Sequence, residues 1–224
     1  MIFSKKAYIA YSLTMITLII MSYFTLDERV AHLFLSDVKT YEPIGDFISI
    51  FGESHWYIGT AILGFLFFKF YKKNELYKQR FLFLLYINLF SGLISLVLKH
   101  MFGRIRPWGL RNGNDDYGFL LFQNWDMGFI EKMKYHFTTL ADAPTTYTSF
   151  PSGHTTTVFS IFTYLVILFP RYIYLWLVLA IVISCSRLLA NDHFVSDLLA
   201  GIIIGTISTM FLYSKLRKKI ENIS

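Results

Sequence analysis

The 224-residue sequence contains one cysteine, Cys185, and it lies inside an apolar run. That excludes an intrachain disulfide and a cysteine-based metal site, and it leaves Cys185 the role of a small buried hydrophobe. No repeat or low-complexity tract is present. No Asp, Glu or His group in the polar segments has metal-site spacing, so no metal and no other cofactor is expected. Charge is scarce too, at 16% of residues, while 54% are hydrophobic and the mean hydropathy is +0.47. A soluble fold would have to hide this apolar content under very little polar surface.

The apolar residues come in six blocks, roughly Tyr8–Leu26, Trp56–Tyr71, Phe81–Leu98, Thr155–Phe169, Tyr172–Leu189 and Phe194–Ser214. A bilayer core about 30 Å thick takes ~17–25 helical residues, so several blocks suffice alone and the shorter ones need flanking residues. The expected fold class is all-α, an integral membrane protein with six transmembrane helices. One domain over residues 1–224 is expected, with outer loops at 27–55 and 99–150. The first block follows Lys5-Lys6 and could pass for a signal peptide. It is long for one, and Ser22-Tyr23-Phe24-Thr25-Leu26 offers no small-residue cleavage site, so it counts as the first helix.

A net charge of +6 raises the question of nucleic acid, but the surplus is not in one patch. It sits at alternate helix ends: Lys5 and Lys6; Lys69, Lys72, Lys73, Lys78 and Arg80; Arg171; and Lys215, Arg217, Lys218 and Lys219. That is the positive-inside pattern, with both termini cytoplasmic in a cell (inner) membrane and no nucleic-acid partner. The opposite segment, 27–55, is acid-rich. Its apolar spacing (Val30, Leu33, Phe34; Ile44, Phe47, Ile48, Phe51) predicts one or two short amphipathic helices on the interface, with Trp56 and Tyr57 as anchors. Asn88 and Ser91 in the third block read as polar helix-packing groups.

The 99–150 loop breaks the charge rule, with Lys/Arg at 99, 104, 106, 111, 132 and 134 against Asp/Glu at 115, 116, 126, 131 and 142. Cations on the outer face are not needed for orientation, so some have another role. Over forty residues without a membrane run read as a lid or binding element. Trp125, Met127, Phe129, Met133 and Tyr135 would pack on the bilayer surface or at the site mouth.

Three polar clusters fall at the outer helix ends: Lys99 with Arg106-Pro107; Pro151-Ser152-Gly153-His154; and Arg187 with His193 and Asp197. Together they supply what phosphate ester cleavage needs. Lys99, Arg106 and Arg187 can clamp the equatorial oxygens. Ser152 can cap the fourth membrane helix, and Gly153 leaves its N-terminal N–H groups open to an anion. Asp197 lies one helical turn after His193, so it can orient that ring and support its charge during attack on phosphorus. His154, beside the anion-binding turn, suits the acid for the leaving oxygen.

These clusters resemble all three signature motifs of the type 2 phosphatidic acid phosphatase superfamily. The matching residues are Lys99, six residues, then Arg106-Pro107; Pro151-Ser152-Gly153-His154; and Ser186-Arg187, five residues, His193, three more, Asp197. The resemblance implies a metal-independent phosphatase with His193 as the phosphohistidine-forming nucleophile and Asp197 as its partner. His154 would be the acid and later the base, and Lys99, Arg106, Ser152, Gly153 and Arg187 would hold the phosphate. Soluble vanadium haloperoxidases share the motifs, but six membrane runs set this chain apart from them. The expected partners are the bilayer and a lipid phosphate at the periplasmic face. The long outer loop is similar to that of some lipid A and phosphatidylglycerophosphate phosphatases, which places lipid A first. Undecaprenyl diphosphate, phosphatidylglycerophosphate and phosphatidic acid are the alternatives as substrates. A phosphotransferase and a non-catalytic lipid-binding or transport protein are the alternatives as classes.

Overall fold

A computed structural model describes residues 4–112, 117–124 and 126–221. Asp115, Asp116 and Trp125 lie outside the described residues, as does the Arg111 side chain. The described chain is helical, and its only β-type pairings are isolated bridges from Arg104 to Phe119 and to Thr148. Each of the six apolar blocks becomes a helix: α1 (Lys5–Thr25), α4 (Ser54–Leu66), α5 (Glu75–Phe102), α7 (Gly153–Leu168), α8 (Ile173–Leu189) and α9 (Val195–Glu221). Between α1 and α4 run α2 (Asp27–Leu35) and α3 (Val38–Ser49), the two short amphipathic helices expected from the spacing.

Four of the six are long and apolar enough to cross a bilayer unaided: α1, α5, Pro170–Leu189 and α9. The other two are shorter. α4 has 13 residues before it passes into a π-helical turn, Phe67–Tyr71. α7 has 16, or ~24 Å at 1.5 Å per residue, because both its ends are fixed. Ser152 caps its start, and at its end Phe169 precedes Pro170, which disfavours a helical backbone.

The 99–150 loop is more ordered than a plain connector. It holds two 3₁₀ turns, Pro107–Asn112 and Leu120–Phe122, and a two-faced helix α6 (Phe129–Asp142). α6 buries Lys132, His136 and Leu140 and exposes Phe129, Ile130 and Phe137. His136 Nε2 lies 2.8 Å from the His100 carbonyl, which ties α6 to the end of α5.

α7 and α9 pack backbone against backbone. A Cβ at Gly201 would come 2.8 Å from the Ser152 carbonyl oxygen, and one at Gly205 would come 2.5 Å from that of Thr156. The four-residue glycine spacing lets the two backbones touch, the usual packing device where lipid removes the hydrophobic drive between helices. Away from the polar clusters, α4, α5, α7 and α9 close on an apolar core that includes Ala61, Phe83, Ile87, Tyr164 and Tyr213. The ends of α1, α5 and α8 and the starts of α4, α7 and α9 meet at the opposite end.

Candidate active site

α5 ends at Gly103, whose φ of +57° turns the chain sharply while its N–H donates to the Lys99 carbonyl at 3.0 Å. A side chain at Gly103 would be strained in that conformation. The turn leaves half-buried Lys99 on the last turn of α5, with its ammonium donating to the Thr148 carbonyl. Ser152 caps α7 by accepting from the Thr155 N–H (3.4 Å) and hydroxyl (3.1 Å). Its own N–H donates to the Asp197 carbonyl at 3.0 Å, which fixes the start of α7 to the start of α9. A Cβ added at Gly153 would lie 3.7 Å from Lys99 Cε, so the lysine stem runs across the open helix N-terminus. His154 follows, half-buried.

Arg106 and Arg187 converge on Asp192. Arg106 Nη1 donates to one carboxylate oxygen at 2.8 Å, and Arg187 Nη2 donates to the other. The carboxylate holds the two guanidiniums side by side. Yet Arg106 Nε and Arg187 Nε are both buried with no acceptor. Unpartnered donors on two adjacent cations suit an anion with several oxygens, and phosphate is such an anion.

His193 is buried with Nδ1 3.6 Å from Asp197 Oδ2 and 3.5 Å from the Ser149 hydroxyl, which leaves Nε2 as the nitrogen for chemistry. Asp197 has no exposure, and four donors hold it: Ser149 Oγ at 2.5 Å and the Phe194 N–H at 2.9 Å on Oδ2, Arg104 Nη1 at 2.6 Å on Oδ1, and the Ser152 N–H on its carbonyl. Arg104 is itself fully buried. It also donates to Asp27 Oδ2 at 2.8 Å, to Ser196 Oγ at 2.7 Å and to the Tyr117 carbonyl at 3.2 Å. The Phe194 ring lies 4.1 Å from its guanidinium carbon, and Tyr23 and Phe119 each lie 5.0 Å away. Asp27 closes the network by accepting from the Ser196 N–H at 2.9 Å and from Ser22 at 3.2 Å.

Charge follows this geometry. Burial, then the nearby Lys99, Arg106 and Arg187 charges, holds the His193 imidazole well below the usual histidine range, so it is neutral at pH 7. Burial lowers Arg106, offset in part by Asp197. Burial also opposes the charge of Arg104, but Asp197 and Asp27 outweigh it and raise its pKa. A cavity of about 650 Å³ leads away from the cluster along α5, with Lys99, Gly153 and His154 at its head. Its flank includes Leu89, Leu93 and Leu96, each about half exposed.

All eight sequence-predicted residues lie at this one end of the bundle, and Lys99, Arg106, Arg187 and His154 all lie within electrostatic reach of His193. Residues 80–221, which hold every one of the eight, match the family described as the PAP2 superfamily. The chain belongs to the PAP2 superfamily. As a PAP2 phosphatase-family protein it has curated relatives that are lipid A 1-phosphatases. That of Rhizobium johnstonii is 32% identical over 174 residues, covering 72% of this chain and 62% of the relative. That of Rhizobium etli is 31% identical over 189 residues, covering 78% and 72%. The match therefore spans under two thirds of the Rhizobium johnstonii protein. The fold is similar to that of a transmembrane PAP2 type phosphatidylglycerolphosphate phosphatase from Bacillus subtilis. The TM-score is 0.56 at 19% identity, covering 95% of this chain and 98% of that one. An integral membrane protein of the PAP2 superfamily is what these likenesses establish.

The sequence missed four residues that the PAP2 site uses for support: Arg104, Asp27, Asp192 and Ser149. Arg104 was legible as one of the surplus outer cations without a topological role. Asp192 adjoins His193, so a search for a carboxylate beside the clustered arginines could have found it. Asp27 reads as one more acid in an acid-rich segment. Its partner is 77 residues away, and no local spacing reveals that.

Proposed function

We propose that this protein is a metal-independent phosphatase that removes phosphate from a membrane lipid, of the lipid A type, through a phosphohistidine on His193. The observation that carries the reading is the pair of orphaned guanidinium donors, Arg106 Nε and Arg187 Nε, beside a neutral, carboxylate-oriented imidazole. In the first step His193 Nε2 attacks phosphorus while the bond to the lipid oxygen breaks and His154 gives that oxygen its proton. Asp197 supports the positive charge that grows on the ring through Nδ1. Lys99, Arg106, Arg187, Ser152 and the open N–H groups at Gly153 hold the three equatorial oxygens. In the second step His154 takes a proton from water, the resulting hydroxide attacks phosphorus, and the nitrogen–phosphorus bond breaks to release phosphate.

The half-exposed leucines beside the cavity support lateral entry of a lipid from the bilayer. We read the chain as one domain with six spans, the π-helical turn extending α4 and flanking residues extending α7. Both termini are cytoplasmic and the site is periplasmic, in the inner membrane. The lipid A preference rests on the two Rhizobium relatives. Cys185 is exposed rather than buried as expected, so in a Cys185→Ala background a cysteine at exposed Asp126 should react with an impermeant thiol reagent on intact cells, and one at Asn74 should not. The reverse pattern inverts the topology.

Purified protein should release phosphate from a lipid A 1-phosphate faster than from phosphatidylglycerophosphate, phosphatidate or undecaprenyl diphosphate. Excess chelator should not stop it, and vanadate should, because its trigonal-bipyramidal form resembles the transition state. Loss in chelator restored by magnesium would refute the mechanism. Phosphate passed to a lipid acceptor with none released would make the protein a phosphotransferase. Binding without turnover would make it a carrier.

A further inference from the structure

Asn88, Gly92, Ser95 and Lys99 follow one another at spacings of four, three and four residues on α5, and all four line the cavity below the phosphate cluster. At 1.5 Å per residue, Ser95 lies ~6 Å and Asn88 ~16.5 Å before Lys99 on the helix, away from the phosphate cluster. Both are deeply buried, Asn88 at 4% exposure and Ser95 at 3%. Both also carry an oxygen without a partner, Asn88 Oδ1 and Ser95 Oγ. The amide orientation of Asn88 is fixed, because its Nδ2 donates to the Leu84 carbonyl at 2.8 Å. Turned round, the amide would set two acceptors against each other. Ser91, between them in sequence, shows what a packing residue does instead: its hydroxyl accepts from Ser160 across the α5–α7 contact at 3.0 Å. The sequence pairs Asn88 with Ser91, but the structure separates them. Ser91 is used in packing, and Asn88 is left facing the cavity.

We propose that Asn88 and Ser95 form a binding subsite along a substrate acyl chain, Ser95 for a carbonyl near the head of the chain and Asn88 for a hydrogen-bond donor further down it, a chain hydroxyl. This rests on the phosphatase reading above and narrows its substrate class. A carbonyl oxygen held without a partner inside a membrane protein calls for a donor. A polyprenyl chain carries no polar group beyond its phosphates. A plain ester-linked chain carries only acceptors. A hydroxylated acyl chain carries the donor for Asn88 Oδ1, and its carbonyl, nearer the phosphate end, can accept from Ser95.

The test uses synthetic sugar phosphates of equal chain length, one bearing an amide-linked 3-hydroxyacyl chain and one a plain ester-linked chain. The wild-type protein should prefer the first by about tenfold or more in kcat/KM, where tenfold corresponds to about 1.4 kcal/mol. Asn88→Leu should erase most of that ratio and Ser95→Ala part of it, which keeps the test available if one variant fails to fold. Ser91→Ala, which alters packing outside the cavity, should keep the ratio. Equal rates on the two substrates in the wild type, or an unchanged ratio in both Asn88→Leu and Ser95→Ala, would overturn the subsite while leaving the phosphatase reading standing. No phosphate release from either compound would overturn both.

Discussion

Arg104 and Arg106 stand two residues apart on the chain but belong to sites built to opposite rules, the second shared with Arg187. Around Arg104 everything is satisfied: two carboxylates, a hydroxyl, a carbonyl and three aromatic rings enclose a guanidinium with no exposure. Around Arg106 and Arg187 the account stays open, with one carboxylate shared between two cations and both Nε donors unmet. A closed network fixes positions, here the Asp197 carboxylate and, through it, the His193 ring. An open one holds its donors ready for a ligand that brings its own oxygens. The two kinds of arginine should therefore fail differently when removed.

The largest effect is expected on the closed side. Arg104→Met leaves Asp27 and Asp197 buried with no counter-charge, a loss of about 3–5 kcal/mol of stability. Thermal unfolding in detergent should show a large fall in Tm. Adding Asp27→Asn, which removes one stranded charge, should recover part of it. If Arg104→Met melts with the wild type, the closed network does not position anything.

Removing an open-side arginine should cost activity instead. Arg106→Ala or Arg187→Ala loses oxyanion donors, and kcat/KM should drop by about 10²–10³. Tm should change little, because Asp192 keeps its other arginine. A large Tm loss with intact kinetics in the folded fraction would reverse the comparison.

The smallest effect is on pH dependence. Burial and the Lys99 charge, in that order, hold His193 well below 6.5. Its unfolded form takes a proton near 6.5 and its folded form only far below that. This contribution to stability is therefore full above 6.5 and lost as the pH falls. For activity the same sign applies: Lys99→Met removes a repelling charge and lifts His193 toward 6.5. The acid-side fall of kcat/KM should then move to higher pH. Comparing wild type and variant on one substrate cancels the ionisation of the substrate itself. An unmoved acid limb would mean that Lys99 does not act on His193.

Much of this was legible in the sequence, for physical reasons that also mark the limit. Apolar runs of membrane length have no alternative to helix, so α1, α4, α5, α7, α8 and α9 could be read directly. The eight motif residues could be read because the chemistry sets their spacing along helix ends. α6 could not: the face it buries carries Lys132 and His136 beside Leu140, while Phe129, Ile130 and Phe137 are exposed, so its apolar residues do not mark the buried side. Asp27 shows the other limit. In a charge count it balances the outer segment, while in the fold it is fully buried and completes the pairing of Arg104. Asn88 shows a third: sequence identifies a polar residue in a membrane helix but not whether its neighbour is a side chain or a cavity.

The central claim is that His193 attacks and His154 moves the protons, and rapid quench with mass spectrometry of the two histidine variants tests it most directly. With p-nitrophenyl phosphate, whose leaving group departs without a proton, His154→Ala should complete the first step and then stall, because no base activates water. Phosphohistidine should accumulate at His193 within a turnover. General acid–base catalysis is worth ~10²–10⁴ in rate, so the stall should be plain. His193→Ala should form no phosphoenzyme with any substrate. A phosphorylated His154 in the His193→Ala protein would contradict the account, because the nucleophile and the proton carrier would then be exchanged.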